Sequence, residues 1–355
     1  MIQRSLAALL SLALLAACGD SSGKGADGGA ARGSTSSGAD LTGAGATFPY
    51  PLYSKWFSDY ATARGVKINY QSIGSGGGIR QLSEQTVDFG ASDAPMSDAE
   101  LAKAKGGKVL HIPMVLGAVV VIYNVPGLAQ PVKLSGEVLA AIYQGQITRW
   151  NDARIAALNG SLALPAQDIL VVHRSDGSGT TFVFTDYLAA VSPPWGMKPG
   201  KGKEIQWPTG LGAKGNEGVA GQVKQTPGAI GYVELAYANQ NKLSTAHIQN
   251  AGGEYVAPTI ESVTAAAAGS AAKLPPDSDY RVSIVNAAGA GVYPISSFTW
   301  IIAYQKQADA AKGKKLTDFL TWALSEGQAA AAALDYAPLP ESMRTGLAQR
   351  IATIK

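Results

Sequence analysis

The chain has 355 residues, a formal net charge of +3, and 46% apolar against 15% charged residues. That length allows two domains with a sizeable core, while so small a charge argues against nucleic acid or an electrostatic grip on acidic membrane. One cysteine and three histidines cannot form a disulfide or a cysteine-rich metal site within one chain, and no metal or other cofactor is expected.

Residues 1 to 17 carry Arg4 and then an apolar run from Leu6 to Ala17 broken only by Ser11. This is the pattern of a secretory signal peptide, too short in its apolar core to span a bilayer comfortably as a mature helix. It ends Leu15-Ala16-Ala17-Cys18, which resembles a bacterial lipobox. That resemblance implies cleavage before Cys18 and a diacylglyceryl anchor on it; the alternative is an ordinary signal peptide with a chance free cysteine. Residues 18–40 then form the lipidated N-terminus and a Gly-, Ser-, Ala- and Asp-rich tether, with a coil span of roughly 25 Å. The expected location is periplasmic or at the cell surface, anchored to a membrane.

Leu41 to Phe48 (LTGAGATF) reads as a small-residue strand and turn. Pro49 suits the first turn of a helix, and Leu52, Tyr53, Trp56, Phe57 and Tyr60 mark its buried face. Thr47 and Phe48 therefore stand at a helix N-terminus. Val66 to Tyr70 reads as a strand, and Gly74 to Arg80 (GSGGGIR) as a glycine-rich turn into a helix. It is not a Walker A loop, since no Gly-Lys-Ser/Thr follows at the required spacing. Thr86 to Ser92 predicts a strand ending at Asp93, with Ser97 and Glu100 as a capping box. Val115 to Tyr123 predicts a buried strand, Ala229 to Val233 and Val282 to Val285 further strands, and Tyr293 to Tyr304 a second long apolar run. From Ala308 the pattern is helical, interrupted near Pro338 and Pro340. This alternation implies α/β layers with substantially parallel sheets.

The most informative stretch is His173 to Phe182 (HRSDGSGTTF), preceded by the apolar run Ile169 to Val172 and followed by Phe184, Tyr187, Leu188 and Val191 at helical spacing. It reads as strand, glycine-rich turn, helix. The first N–H groups of a helix lack internal partners and sit at the positive end of its dipole, so such a start attracts an oxyanion. Ser178 and Thr180 add hydroxyl donors, Gly177 and Gly179 permit close approach, and Arg174 adds a cation. A plain N-capped turn is the alternative; the recurrence of the design at Thr47 and at Gly74 favours the anion site.

The motifs GAGATFP, the Gly74 to Gly78 turn, DFGASDAP, SDGSGTTF and PGAIGYVE occur in this order in bacterial periplasmic phosphate-binding proteins, the substrate receptors of the Pst-type phosphate ABC importer, and from about Leu41 onward the chain resembles that family. The resemblance implies an α/β, two-lobed "Venus flytrap" fold of the type II periplasmic-binding-protein kind with the ligand in the cleft. Lobe I would be 41–117 plus 295–355, and lobe II 118–294. It implies phosphate held by Thr47, Phe48 (through its backbone N–H), Ser75 and Asp93 from one lobe and Arg174, Ser178, Gly179 and Thr180 from the other, with Asp176 orienting Arg174. Its partners would be the permease and ATPase of a phosphate importer, and the expected state is a monomer.

Asp93 is the informative member, because like charges about 4 Å apart cost on the order of 4 kcal/mol at an effective dielectric near 20. Phosphate keeps a proton at neutral pH that a carboxylate can accept, and sulfate has none. Rival readings are a receptor for another oxyanion, or a serine hydrolase or phosphatase using Ser178 and His173. The turn is not G-x-S-x-G, His173 should face away from its strand neighbour Arg174, and no catalytic residue is assigned.

Overall fold

The computed structural model describes residues 40–128, 130–269 and 279–355. The expectations for the signal peptide, Cys18 and the tether up to residue 39 lie outside the described residues. The chain runs β1 (Leu41–Gly45), α1 (Tyr50–Arg64), β2 (Ile68–Ser72), α2 (Ser75–Ser83), β3 (Phe89–Ser92), α3 (Asp98–Leu101) and β4 (Val109–Tyr123). It continues through β5 (Lys133–Leu134), α4 (Gly136–Tyr143), α5 (Ala153–Leu158), β6 (Leu170–Arg174), α6 (Gly179–Val191), α7 (Pro193–Met197), β7 (Leu211–Ala213) and α8 (Gly215–Gln225). The remainder is β8 (Ala229–Glu234), α9 (Leu235–Gln240), β9 (Ser244–Thr245), β10 (His247–Gln249), β11 (Tyr255–Val256), α10 (Ile260–Ala268), β12 (Ser296–Tyr304), α11 (Ala310–Leu324) and α12 (Glu341–Ile351).

Nine strands form one sheet in the order β2-β1-β3-β12-β4-β8-β6-β7, with β9 paired to β4. Its ends are parallel (β1 with β2 and β3; β6 with β7 and β8) and its middle is antiparallel. The expectation of substantially parallel sheets therefore holds only at the two ends. The middle is made by β4 and β12, long apolar strands buried along their whole length. Strand β4 pairs with β12 from Val109 to Ala118 and with β8 from Val119 to Tyr123. One strand thus serves both ends of the sheet.

β4 begins six residues before the run the apolar pattern marks, despite Pro113, a residue that cannot donate to a ladder. The register with β12 shifts between Thr299 and Trp300, pairing Thr299 with Val115 and Trp300 with Pro113. This bulge leaves Met114 unpaired and absorbs the proline. Val282 to Val285 is not a strand. That segment is tied down by side chains instead: Arg281 donates to the Met96 carbonyl and to Asp98 (3.1 and 2.7 Å), and Ser283 to Asp186 (2.6 Å).

Helix α1 buries Leu52, Tyr53, Trp56, Phe57 and Tyr60, the residues its spacing singles out, and ends at Gly65 in the left-handed conformation. Helix α2 packs on β1 and β3, and α8 on β6 and β8. The capping box at Ser97 and Glu100 is present on the short α3. No helix among the described residues is long and apolar enough to cross a membrane.

Candidate functional site

Strand ends feed the site from both ends of the sheet. On one, β1 turns through Ala46 to Phe48 into α1, Gly74 starts α2, and β3 delivers Asp93 just past its last residue. On the other, β6 ends at Arg174, whose turn leads into α6 at Gly179. Thr47, Phe48, Ser75, Asp93, Arg174, Ser178, Gly179 and Thr180 are all buried.

The α2 and α6 starts meet directly. The Gly179 N–H donates to Ser75 Oγ at 3.0 Å, the Asp93 N–H donates to the same hydroxyl at 3.2 Å, and Ser75 Oγ lies 3.4 Å from Asp93 Oδ2. Beside them the Gly76 N–H donates to the Gly177 carbonyl at 2.8 Å. A Cβ on Gly179 would come within 2.5 Å of Ser75 Oγ and 2.6 Å of Asp93 Oδ2, so glycine is needed for this approach. Gly74 enters α2 at φ 87° and faces Asp176, again with no room for a side chain.

Arg174 is held flat. Its Nε and Nη2 donate to the two Asp176 oxygens at 2.7 and 2.5 Å, a bidentate pair, and Nη1 donates to Thr180 Oγ1 at 3.3 Å. Burial works against the Asp176 charge, but the Arg174 hydrogen bonds, its positive charge and the Gly215 amide together hold the Asp176 pKa below its ordinary value. Ser178 Oγ accepts the Thr181 N–H at 3.0 Å and so caps α6 as well as lining the site.

Asp93 is almost wholly buried, and burial pushes its pKa up to about 7, against the opposing pull of a 2.8 Å hydrogen bond from Thr299 and of the Arg174 charge. The expectation of a carboxylate that only accepts is therefore refined: near neutrality this group holds or releases a proton with little bias.

Several residues of the cluster went unread in the sequence. Thr299, placed by the β12 bulge, fixes one Asp93 oxygen. Asn216, at the α8 start, contacts both Thr47 and Thr180. Tyr237 donates to the Thr47 carbonyl at 2.6 Å, and Tyr336 to the Phe48 carbonyl at 2.6 Å. Only Asn216 had a local signal: Gly215-Asn216 ahead of Val219, Ala220 and Val223 has the form of a helix start. His173 does not join the site; its ring stacks on Trp207 with centroids 4.7 Å apart. No group of three or more metal-ligating side chains occurs among the described residues.

A family model described as a PBP superfamily domain matches residues 30–327. The chain is 48% identical over 304 residues to the phosphate-binding protein PstS of Xylella fastidiosa strain Temecula1, covering 85% of this chain and 82% of that protein. It is 47% identical over 304 residues to the PstS of Pasteurella multocida strain Pm70, with 85% and 87% covered. The chain belongs to the PstS family of the PBP superfamily. Among solved structures, it is similar to a high-affinity periplasmic phosphate-binding protein (PfluDING) bound with phosphate, with a TM-score of 0.68, 26% identity, and 86% and 92% of the two chains covered. A DING protein gives a TM-score of 0.70 at 26% identity, over 86% and 93% of the two chains. The fold is the two-lobed periplasmic-binding-protein type.

Proposed function

We propose that this chain binds inorganic phosphate between its lobes and delivers it to an ABC-type importer. It is a binding protein, not an enzyme, as its relatives' names describe them. The observation that carries this reading is the buried meeting of two helix starts at Ser75 and Gly179, with Arg174 on one side and Asp93 on the other. In the reading, Thr47, Ser75, Ser178 and Thr180 offer hydroxyls, Phe48 offers its backbone N–H, Gly179 shares its own between Ser75 Oγ and the anion, Arg174 supplies the opposite charge, and Asp93 meets the proton of the anion. Lobe I is 41–117 plus 295–355 and lobe II is 118–294; the change of β4 partner between Ala118 and Val119 supports that division.

Cys18 is the lipid-bearing N-terminus, holding a monomeric receptor to a membrane by the tether, and the receptor hands phosphate to a permease driven by an ATPase. The lipobox pattern supports the anchor. The test is calorimetric titration with phosphate and sulfate after carried-over ligand has been removed by partial unfolding. One phosphate should bind per chain, with sulfate at least about tenfold weaker at pH 8. Equal affinities, or no phosphate binding, would overturn the reading.

A further inference from the structure

Counting hydrogens around Asn216 leads to a residue that acts on the anion without touching it. Asn216 is fully buried at the start of α8. Its Oδ1 accepts the Glu234 N–H at 3.0 Å. That contact fixes which way the amide faces, because the flipped amide would set a donor against a donor. The two hydrogens on Nδ2 are then spent on two hydroxyls, Thr47 Oγ1 at 2.7 Å and Thr180 Oγ1 at 3.1 Å.

Each of those hydroxyl oxygens takes a second donor. Thr47 Oγ1 also accepts the Asn216 backbone N–H at 3.2 Å, and Thr180 Oγ1 also accepts Arg174 Nη1 at 3.3 Å. A hydroxyl has two lone pairs and one hydrogen. With both lone pairs engaged, its hydrogen must point at some other acceptor.

We propose that Asn216 is a positioning residue of the anion site, turning the Thr47 and Thr180 hydroxyls into obligate donors toward the bound anion. This deepens the phosphate reading and rests on it. The consequence is selectivity for where the anion keeps its proton. The two threonines then have no lone pair left to accept the anion's proton, which favours its placement on the side facing Asp93. Thr47 lies before α1 and Thr180 in α6, so one amide sets hydroxyls from both ends of the sheet at once. The device also explains why α8 starts without a side-chain cap. Its first amides are already used, that of Gly215 by Asp176 Oδ1 at 3.1 Å and that of Asn216 by Thr47.

The test is a double-mutant cycle on phosphate affinity, with Asn216→Ala made in the wild type and in the isosteric Thr47→Val and Thr180→Val backgrounds. Asn216→Ala should weaken binding by about tenfold or more in the wild type, and by a clearly smaller factor in each valine background, since the hydroxyl it acts through is gone. The same factor in all three backgrounds, or wild-type affinity for Asn216→Ala, would overturn the proposal. If Asn216→Ala does not fold, neutron diffraction of the wild-type protein with phosphate decides the matter. Deuterons on Thr47 Oγ1 and Thr180 Oγ1 should point at phosphate oxygens, and a deuteron from either aimed at Asn216 would sink the idea. Failure of the wild type to bind phosphate at all would remove the functional reading first, and this proposal with it.

Discussion

On the β1–β3 side of the cleft, the helix starts at Phe48 and Ser75 surround an acid, Asp93. On the β6–β8 side, the helix start at Gly179 adjoins a guanidinium, Arg174. The backbone device is the same on both sides, strand end to tight turn to buried helix start, while the charge beside it is opposite. In the phosphate reading, attraction and discrimination are divided between two pieces of chain that meet at Ser75 and Gly179, at Thr47 and Asn216, and at Glu100 and Lys203. If that division is real, substitutions on one side should change affinity, and substitutions on the other should change selectivity.

The largest effect belongs to Arg174. Its side chain is buried and paired with Asp176, so Arg174→Ala removes the cation that the phosphate reading sets against the anion and strands a carboxylate beside it. Phosphate affinity should fall by about 3–5 kcal/mol, roughly two to four orders of magnitude. Because a buried partner is left uncompensated, the melting temperature should drop as well. Titration calorimetry and a thermal melt check both. A loss confined to stability, with affinity kept, would place the anion elsewhere.

Asp93→Asn tests the other side. Phosphate should bind within about tenfold of wild type, while sulfate gains by a factor that grows with pH above 7 toward a limit of about a thousandfold, because the repulsion near 4 kcal/mol is gone. The pKa near 7 adds a sharper version, since sulfate does not change its charge between pH 5.5 and 8.5. Below pH 7 wild-type Asp93 is protonated and can donate to sulfate; above pH 7 it is ionised and repels it. Sulfate affinity of the wild type should therefore weaken about tenfold for each pH unit above 7, and that of Asp93→Asn should stay flat. Parallel curves for the two proteins would show that another group governs selectivity.

The elements that position the site were legible where one segment carried its own pattern. The i, i+3, i+4 spacing of Leu52 to Tyr60 marked the buried face of α1, and the glycine-serine turns at Gly74 and Gly177 marked two helix starts. What was not legible depends on contacts between segments distant in sequence. Pro113 cannot donate to a ladder, and the β12 bulge accommodates it; the same bulge sends Thr299 to Asp93, an acceptor 206 residues away. Val282 to Val285 has strand-like residues but finds no strand to pair with, its anchors being Arg281 and Ser283. Asn216 opens a helix whose start is readable (GNEGVAGQVKQ), but its importance comes from two threonines that the fold brings to it.

Asp176→Asn should have a smaller effect than either charge at the anion itself. It keeps the shape but loses the charge that fixes the guanidinium plane, so phosphate affinity should fall about tenfold. The Asp176 pKa is depressed in the folded protein. Its stabilising contribution is therefore present above the unfolded carboxylate range and is lost as pH falls through the lower folded value. Wild type and variant should differ most in melting temperature at neutral pH and converge in acid. A gap that widens in acid would mean that the pair does not stabilise the fold.

The smallest effect should come from the lip of the cleft, where Lys203 Nζ lies 2.9 Å from Glu100 Oε2. Glu100 belongs to the segment that follows β3, and Lys203 to the one that follows α7, so the pair spans the same divide as Ser75 and Gly179. The Lys203 carbonyl also accepts the Ser178 N–H at 3.0 Å, which ties the lip to the α6 start. Both side chains are partly shielded, with relative exposures of 18% and 26%, which puts the pair near the upper end of surface ion pairs, about 1 kcal/mol. Lys203→Ala keeps the carbonyl and removes the charge. Phosphate should then dissociate about fivefold faster at low salt, with the gap to wild type narrowing as salt screens the pair. Stopped-flow dissociation at two ionic strengths measures this directly. A rate unchanged at low salt would mean that the closed arrangement is held by Ser75, Gly179 and the ligand alone, and that the lip only follows.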